Sequence, residues 1–564
     1  MSACRWILPP TPDSALVDAL QRDLGIAQFA AELLIQRGFA DTAKAAAFLT
    51  PKLKTLGDPF ALPGMSSAVE RILAAIDRRE PIVLYGDYDV DGVTSLALLT
   101  LVLRAFGGTP ECFLPSRIDE GYGLSADGVT RCLSEHTPAL LIAVDCGTSS
   151  AAEIETLCAR GVDVIVLDHH ECKETLPKCV ALVNPKLGDS HQYLCSVGLV
   201  FKVAHALLKR RPLPDFDLRE YLDLVALGTV ADLVPLQDEN RVLVRHGLQQ
   251  LASSRRVGVR SLIEVARLRP PFMACHVGFG LGPRLNAAGR LGTARAALEL
   301  LLTEDPVRAR ELAVALDAQN RDRRAVEDDV LRQAEAQLAE TFDPERDAAI
   351  VVGASGWHPG VVGIVASRLQ KRHHRPTLVI GFDEAGIGKG SGRSIEGLSL
   401  VDALSRCDGL LEKHGGHAMA AGITIRQECF EAFRRAFGAC AREMLGAEQL
   451  QPRLRLDAEL SLQHVNYALL EQHEALQPFG MMNPQPVFFT RRISPAAEPR
   501  VIKEKHLSVI LRQGYHERRA MWFNAAETEL PPPPWDVAFT VERNEYQGVI
   551  SVDLHLKAVR ASAD

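Results

Sequence analysis

Three aspartates, Asp87, Asp89 and Asp91, alternate with other residues in the run YGDYDVDG at 85–92. Carboxylates packed this closely raise one another's pKa, and a divalent cation removes that cost. Oxygen ligands suit Mg²⁺ or Mn²⁺. An acidic turn that only caps the next helix needs one aspartate, not three. Groups of the same chemistry recur downstream: Asp145 in VDCGTS, the triplet Asp168-His169-His170 in LDHH, and Asp232 inside the apolar LVALGTVADLVPL. Taken singly, each has an ordinary reading. Asp145 fits a helix N-cap and the His-His pair fits a surface turn. Asp232 costs free energy unless it caps a helix, pairs with a cation or binds metal.

The elements around these groups decide between the readings. The apolar runs at 81–84, 139–144 and 162–167 are too short for helices and rich in β-branched residues, so they read as buried strands. Each ends at one of the acidic or imidazole groups. Helical segments at 93–106 and 151–160 lie between them. This strand–helix repeat predicts a parallel sheet with right-handed crossovers, whose ligands collect beyond the carboxyl ends of the strands. Asp87, Asp89, Asp145, Asp168, His169 and His170 then converge, and four separate caps on one sheet edge are a poorer account. An oxygen-rich Asp/His cluster suits two Mn²⁺ or Mg²⁺ ions bridged by a carboxylate. Such ions, about 3.5–4 Å apart, activate water and stabilise a phosphoryl transition state.

The chain has 564 residues, 47% hydrophobic and 24% charged, which predicts several domains of a globular protein. The N-terminal segment reads as neither a signal peptide nor a membrane span, and a cytoplasmic protein is expected. Twelve cysteines are scattered without a Cys-x-x-Cys pair, which fits buried thiols in a reducing compartment and no structural zinc site. A net charge of −8 excludes a simple basic DNA-binding domain but permits a local basic groove.

Two glycine-rich stretches read as anion-binding loops. In GFGLGPRLNAAGRLG, 278–292, amides freed by glycine can surround phosphate oxygens, with Arg284, Asn286 and Arg290 alongside; a tight turn with surface arginines competes. GIGKGSGRSIEG, 386–397, offers Lys389, Ser391, Arg393 and Ser394, without the Walker spacing. GGHAMAAG, 415–422, sets His417 among small residues. Residues 312–340 read as a long helix whose charge is mostly a solvated face. Beyond 452, short alternating strands predict a small barrel. Eight Lys/Arg against three Glu between Arg491 and Arg519, near Phe488, Phe489, Trp522 and Phe523, fit single-strand binding. The period-2 pattern favours a core role for Phe489 and Phe523.

In these motifs, taken in order from 85 to 422 together with PSRIDEGYGL and GWHPGVVGIVASRL, the chain resembles the DHH phosphoesterase superfamily. Within it, the chain resembles the RecJ family of bacterial single-strand-specific 5′-to-3′ DNA exonucleases. The resemblance implies an α/β fold: a parallel-sheet DHH domain and a smaller α/β DHHA1 domain joined by a long helix, with a C-terminal β-barrel (OB-fold). The expected limits are a helical region at 1–65, the DHH domain with a helical extension at 66–310, the connecting helix at 311–345, DHHA1 at 346–445 and the OB-fold at 452–564. The metal ligands implied are Asp87, Asp89, Asp145, His169 and Asp232, with Asp91, Asp168 and His170 lining or orienting the site. Tyr85 stands where the family often has histidine, and a phenol is a poor ligand for hard ions. The resemblance places the substrate strand on the second lobe, its 5′-phosphate against Arg117, Ser391 and Arg393, with Arg284 or Arg290 assisting and Asn286, His358 and His417 among the binding residues. Met482 replaces the family's usual glycine before the asparagine of PFGMMNPQPVF.

The implied activity is two-metal hydrolysis of single-stranded DNA from its 5′ end, in DNA recombination and repair, by a monomer. A single-strand-binding protein and a helicase are the implied partners. Two rivals share the fold. One is a phosphoesterase for short oligonucleotides or cyclic dinucleotides, which a large basic barrel disfavours. The other is a non-catalytic replication scaffold, whose signature would be degraded carboxylates.

Overall fold

The computed structural model describes residues 4–116, 120, 123–172, 175–189, 191–291, 294–546 and 548–562. The chain divides into two units. One comprises Met1–Arg5, Ala287–Gly292 and Val314–Leu454; the other comprises Trp6–Asn286, Thr293–Ala313 and Arg455–Asp564.

In the larger unit the three apolar runs are strands, and two shorter strands flank them. They are β1 (Ile82–Tyr85), β2 (Glu111–Phe113), β3 (Leu140–Val144), β4 (Asp163–Leu167) and β5 (Ala181–Val183). Their order is β2-β1-β3-β4-β5, all parallel. Both faces of such a sheet are covered, so its strands are continuously apolar; β1 and β3 are buried at every position. Helix α1 (Val90–Ala105) is buried almost all round, as its unbroken apolar sequence requires. Helices α2 (Ser196–Arg210) and α3 (Leu222–Ala231) also pack against it. Gly228 permits this approach, since a Cβ there would lie 2.7 Å from Val197 Cγ1.

The stretch 278–292 is helical rather than a loop: a π-turn at Val277–Leu281 runs into helix α4 (Gly282–Leu291). Within a helix most amides are consumed by backbone carbonyls, so the expected phosphate-cradling loop does not form there. Helix α5 (Pro306–Thr341) follows. Its charge is not all solvated: Arg323 and Glu327 are buried and bonded at 2.6 Å.

The smaller unit carries β6 (Ile350–Ser355), helix α6 (Pro359–His373), β7 (Thr377–Phe382), β8 (Ile387–Arg393), β9 (Lys413–His417) and β10 (Ala420–Arg426). The sheet order is β9-β10-β8-β7-β6, and only β6 and β7 are parallel. The predicted anion loop at 386–397 is therefore mostly its central strand. Alternation explains the glycines: they face apolar neighbours, and a Cβ at Gly390 would meet Ile380 Cγ1 and Ile423 Cγ1, each at 2.8 Å. Lys389, Ser391 and Arg393 take the other face.

The C-terminal strands β11 (Phe488–Pro495), β12 (His506–Gln513), β13 (His516–Trp522), β14 (Trp535–Tyr546) and β15 (Val549–Ala561) pair in a ring, β11-β14-β15-β13-β12 and back to β11. The N-terminal helices Ser14–Leu24, Gln28–Gln36 and Thr42–Leu49 share its core: Leu20, Leu33 and Leu34 pack with Leu460, Phe488 and Phe539. Phe29 meets Phe488 edge-on, with centroids 5.8 Å apart. Phe489 is buried as expected. Phe523 is not: it lies just beyond the end of β13, 48% exposed, between His506 and His555.

Candidate metal centre

The predicted groups meet at the carboxyl edge of the parallel sheet. Asp87 and Asp89 follow β1, Asp145 follows β3, and Asp168 and His169 follow β4. Asp232 stands at the C-terminus of α3. Asp87, Asp89 and Asp145 each offer an oxygen within 4.8 Å of the others, and so do the ligand atoms of Asp145, His169 and His170. Asp145 is common to both groups. Its backbone is left-handed, φ 63°, a conformation uncommon outside glycine that turns the chain at the strand end. His169 Nε2 lies 3.4 Å from Asp145 Oδ1 and 3.5 Å from Asp232 Oδ2. Neither His169 Nε2 nor Asp232 Oδ2, both buried, makes a hydrogen bond among the described residues.

The electrostatics favour binding of a cation. Burial, then Asp91 and Asp89, push Asp232 up to about 9. Burial and four neighbouring aspartates raise Asp145 well above the usual carboxylate range. Burial, with His170 next, pushes His169 down to about 3, so its imidazole is neutral and presents a lone pair.

Other members orient the site. Asp89 is also the N-cap of α1, accepting from Gly92 N at 3.1 Å, so the capping reading holds for one of the three aspartates. Asp91 caps α2, accepting from Ser196 N at 2.7 Å and Val197 N at 2.9 Å. Asp168 accepts from the backbone of Thr148 at 2.9 Å and of His169 at 2.8 Å, and meets His170 Nδ1 at 2.7 Å. Burial opposes the ionisation of both partners in that pair. The hydrogen bond and the opposite charge outweigh it, holding Asp168 low and His170 high. Tyr85 is stacked on Phe113 and donates to Gly123 O at 3.2 Å, away from ligand chemistry.

The predicted substrate residues divide between the units. Arg117 and the side chain of Arg290 lie outside the described residues. Asn286 Oδ1 accepts from Val90 N at 3.1 Å and so fixes the aspartate turn, while Arg284 donates to Gly280 O at 2.7 Å. In the smaller unit His358 caps α6, accepting from Gly360 N at 3.0 Å. Arg393, directly opposite Ala420 in the register, donates to Ser391 Oγ at 3.0 Å and Gly392 O at 2.7 Å. His417, opposite Ala420 on the other side, is exposed.

Several contributors carried no signal in the sequence. The Ser196 hydroxyl donates to Asp145 Oδ1 at 2.8 Å. Asn184 donates to Thr148 Oγ1 at 3.1 Å and His170 O at 3.0 Å. Cys195 gathers with Asp91 and Asp232, but burial raises its thiol well above the usual range, and a protonated sulfur is a poor ligand for a hard cation. Asn184 directly after a short strand and Ser196 at a helix start look like ordinary caps.

The donor set fits two Mn²⁺ or Mg²⁺ ions: it is oxygen-rich, it includes a neutral imidazole, and the buried His169 Nε2 and Asp232 Oδ2 make no hydrogen bond among the described residues. Residues 81–229 match the DHH family, N-terminal domain; residues 347–443 match the DHHA1 domain, and residues 456–558 the RecJ OB domain. The chain is 38% identical to the single-stranded-DNA-specific exonuclease RecJ of Dickeya dadantii, with 97% of each chain covered. To the Bacillus subtilis protein of the same name it is 37% identical, over 94% of this chain and 67% of that one. The crystal structure of RecJ in complex with Mn²⁺ from Thermus thermophilus superposes with a TM-score of 0.86 at 32% identity, covering 100% of this chain and 80% of that one. The Mg²⁺ complex gives 0.79 at 30% identity over 100% and 79%. With identity of this extent running through all three matched domains, the chain belongs to the RecJ family.

Proposed function

We propose that the protein is a metal-dependent exonuclease that degrades single-stranded DNA from its 5′ end by phosphodiester hydrolysis, in DNA recombination and repair. The observation that carries this reading is the pair of ligand groups sharing Asp145, beside the neutral His169. Two ions bound there would lower the pKa of water and neutralise charge on the phosphoryl group. Asp87, Asp89, Asp145, His169 and Asp232 would hold them. Asp91 and Asp168 act through others: Asp91 pins the start of α2, and Asp168 fixes the backbone of His169 and, by its hydrogen bond and charge, raises the pKa of His170.

In this reading residues 66–310 carry the chemistry, 346–445 hold the strand, 452–564 bind it further along, 311–345 connect, and 1–65 complete the core of the barrel. The grouping of Ser391 and Arg393 on one face of β8, with the exposed His417 two strands away, supports a 5′-phosphate site there, because a hydroxyl and a guanidinium together recognise phosphate oxygens. The match to the RecJ OB domain favours long single strands over short oligonucleotides, and the intact ligand set disfavours a scaffold without activity. No helix among the described residues is long and apolar enough to cross a membrane; a cytoplasmic monomer working with a single-strand-binding protein and a helicase is the proposed setting.

The test is incubation of end-labelled single- and double-stranded DNA with the protein and Mn²⁺. Single strands should shorten from the 5′ end, and Asp89→Ala or Asp145→Ala should abolish this without unfolding the protein. Retained turnover in both variants would remove the proposed site.

A further inference from the structure

A cleft of about 580 Å³ opens beside the metal centre, lined in part by His169, Asp232, Glu171, Lys186, Gln192 and Tyr193. All six residues belong to the larger unit. The lining thus joins two of the proposed metal ligands, His169 and Asp232, to a lysine and a tyrosine. We infer that this cleft is a nucleotide subsite, in which Lys186 binds a backbone phosphate next to the scissile one and the Tyr193 ring stacks on a base. The inference rests on the exonuclease reading and names residues to which that reading gives no role.

Lys186 is held in place before any ligand arrives. It sits in the single 3₁₀ turn Pro185–Leu187, capped by Asn184, whose Oδ1 accepts from Lys186 N at 2.9 Å. The same Asn184 donates to the carbonyl of His170, so the lysine backbone is tied to the loop that presents His169. Its ammonium pairs with Glu171 at 2.6 Å, on a glutamate whose side chain is 68% exposed. An ion pair this open to solvent is weak, and a phosphate can displace the carboxylate. The cation also reaches the metal ligands: after burial and the neighbouring aspartates, Lys186 is the charge that acts on Asp232.

Tyr193 supplies the second half. Its backbone carbonyl accepts from Asn240 Nδ2 at 2.5 Å, which fixes the chain, while the residue stays 38% exposed on the cleft. A fixed backbone with an open ring is a stacking platform for any base. Lysine for phosphate and tyrosine for base, in the same cleft as His169 and Asp232, match the two contacts a nucleotide offers without regard to sequence.

Steady-state kinetics on a 5′-labelled single strand at saturating Mn²⁺ test this, with thermal unfolding as the check on folding. Lys186→Ala should raise KM about tenfold and leave kcat within about twofold, with Lys186→Arg restoring most of the loss. The dependence of log KM on log salt should become shallower by about 0.7. Glu171→Gln, which frees the lysine, should lower KM about threefold, and Tyr193→Ala should raise it about tenfold while Tyr193→Phe does not. If Lys186→Ala leaves KM and the salt slope unchanged, or if Glu171→Gln and Lys186→Ala shift KM in the same direction, the subsite is overturned. Failure of the unsubstituted protein to degrade the strand would instead overturn the exonuclease reading.

Discussion

The side chain of Ser196 donates to Asp145 Oδ1 at 2.8 Å, and its backbone N–H donates to Asp91 Oδ2 at 2.7 Å. One residue at the start of α2 therefore orients a proposed metal ligand and satisfies an aspartate that is not assigned as one. Groups hydrogen-bonded to a metal ligand set its direction, and their loss typically costs 10–100-fold in affinity, by order of magnitude. Ser196→Ala should weaken Mn²⁺ binding by roughly that factor, measured by calorimetric titration, with turnover recovered at high Mn²⁺.

Stability should depend on pH in a direction set by the clustered carboxylates. Burial and neighbouring aspartates move Asp232 from 3.8 up to about 9 and Asp91 up to about 7. A carboxyl whose folded pKa is raised binds its proton more tightly folded than unfolded. Stability of the metal-free protein is therefore fullest below the unfolded value and falls as pH climbs towards the folded one. Thermal unfolding in EDTA should show a midpoint declining between about pH 5 and about pH 8, and saturating Mn²⁺ should flatten that slope by replacing protons as the neutralising charge. A midpoint that rises with pH in EDTA would contradict the electrostatics of the site.

Gly228→Ala should destabilise the protein. The added Cβ would fall 2.7 Å from Val197 Cγ1 and 2.9 Å from Asp91 Oδ1, forcing α3 away from α1 and α2 where Asp91 caps the latter. Overpacking of this kind costs about 1–3 kcal/mol, readable as a lower denaturant midpoint. Metal affinity should fall with it, because Asp232 is at the end of the displaced helix.

Arg393→Ala should erode discrimination between 5′-phosphorylated and 5′-hydroxyl strands by about tenfold. Among the described residues Arg393 bonds only neutral groups, Ser391 Oγ and Gly392 O, so its charge is available to an anion. The ratio of initial rates on the two substrates reads the effect, and an unaltered ratio would place 5′-phosphate recognition elsewhere.

Much of the metal centre was legible because its residues are incongruous where they stand. Aspartates at the ends of apolar runs, and Asp232 inside one, violate the cost of burying charge, and the sequence itself announces that. The strands β2 and β5 were not legible, since three residues carry no periodicity. The glycine-rich stretches misled for a related reason. Glycine serves a phosphate loop and a crowded packing position alike, and only the facing Ile380 and Ile423 tell that Gly390 is the second kind. Alternation places Phe523 in the core, but β13 ends at Trp522, one residue before the pattern would bury it.

By itself the sequence determined the ligand types, their order along the chain, and the parallel sheet that brings them to one edge, because strand–helix alternation admits few topologies. Only the tertiary structure decided the division of labour among them. Asp91 is taken up by the amides of Ser196 and Val197, Asp168 by Thr148 and the backbone of His169, whereas Asp145 lies in both ligand groups. The physical reason is that a carboxylate's role depends on which donors face its two oxygens, and those donors come from residues as many as 106 positions away.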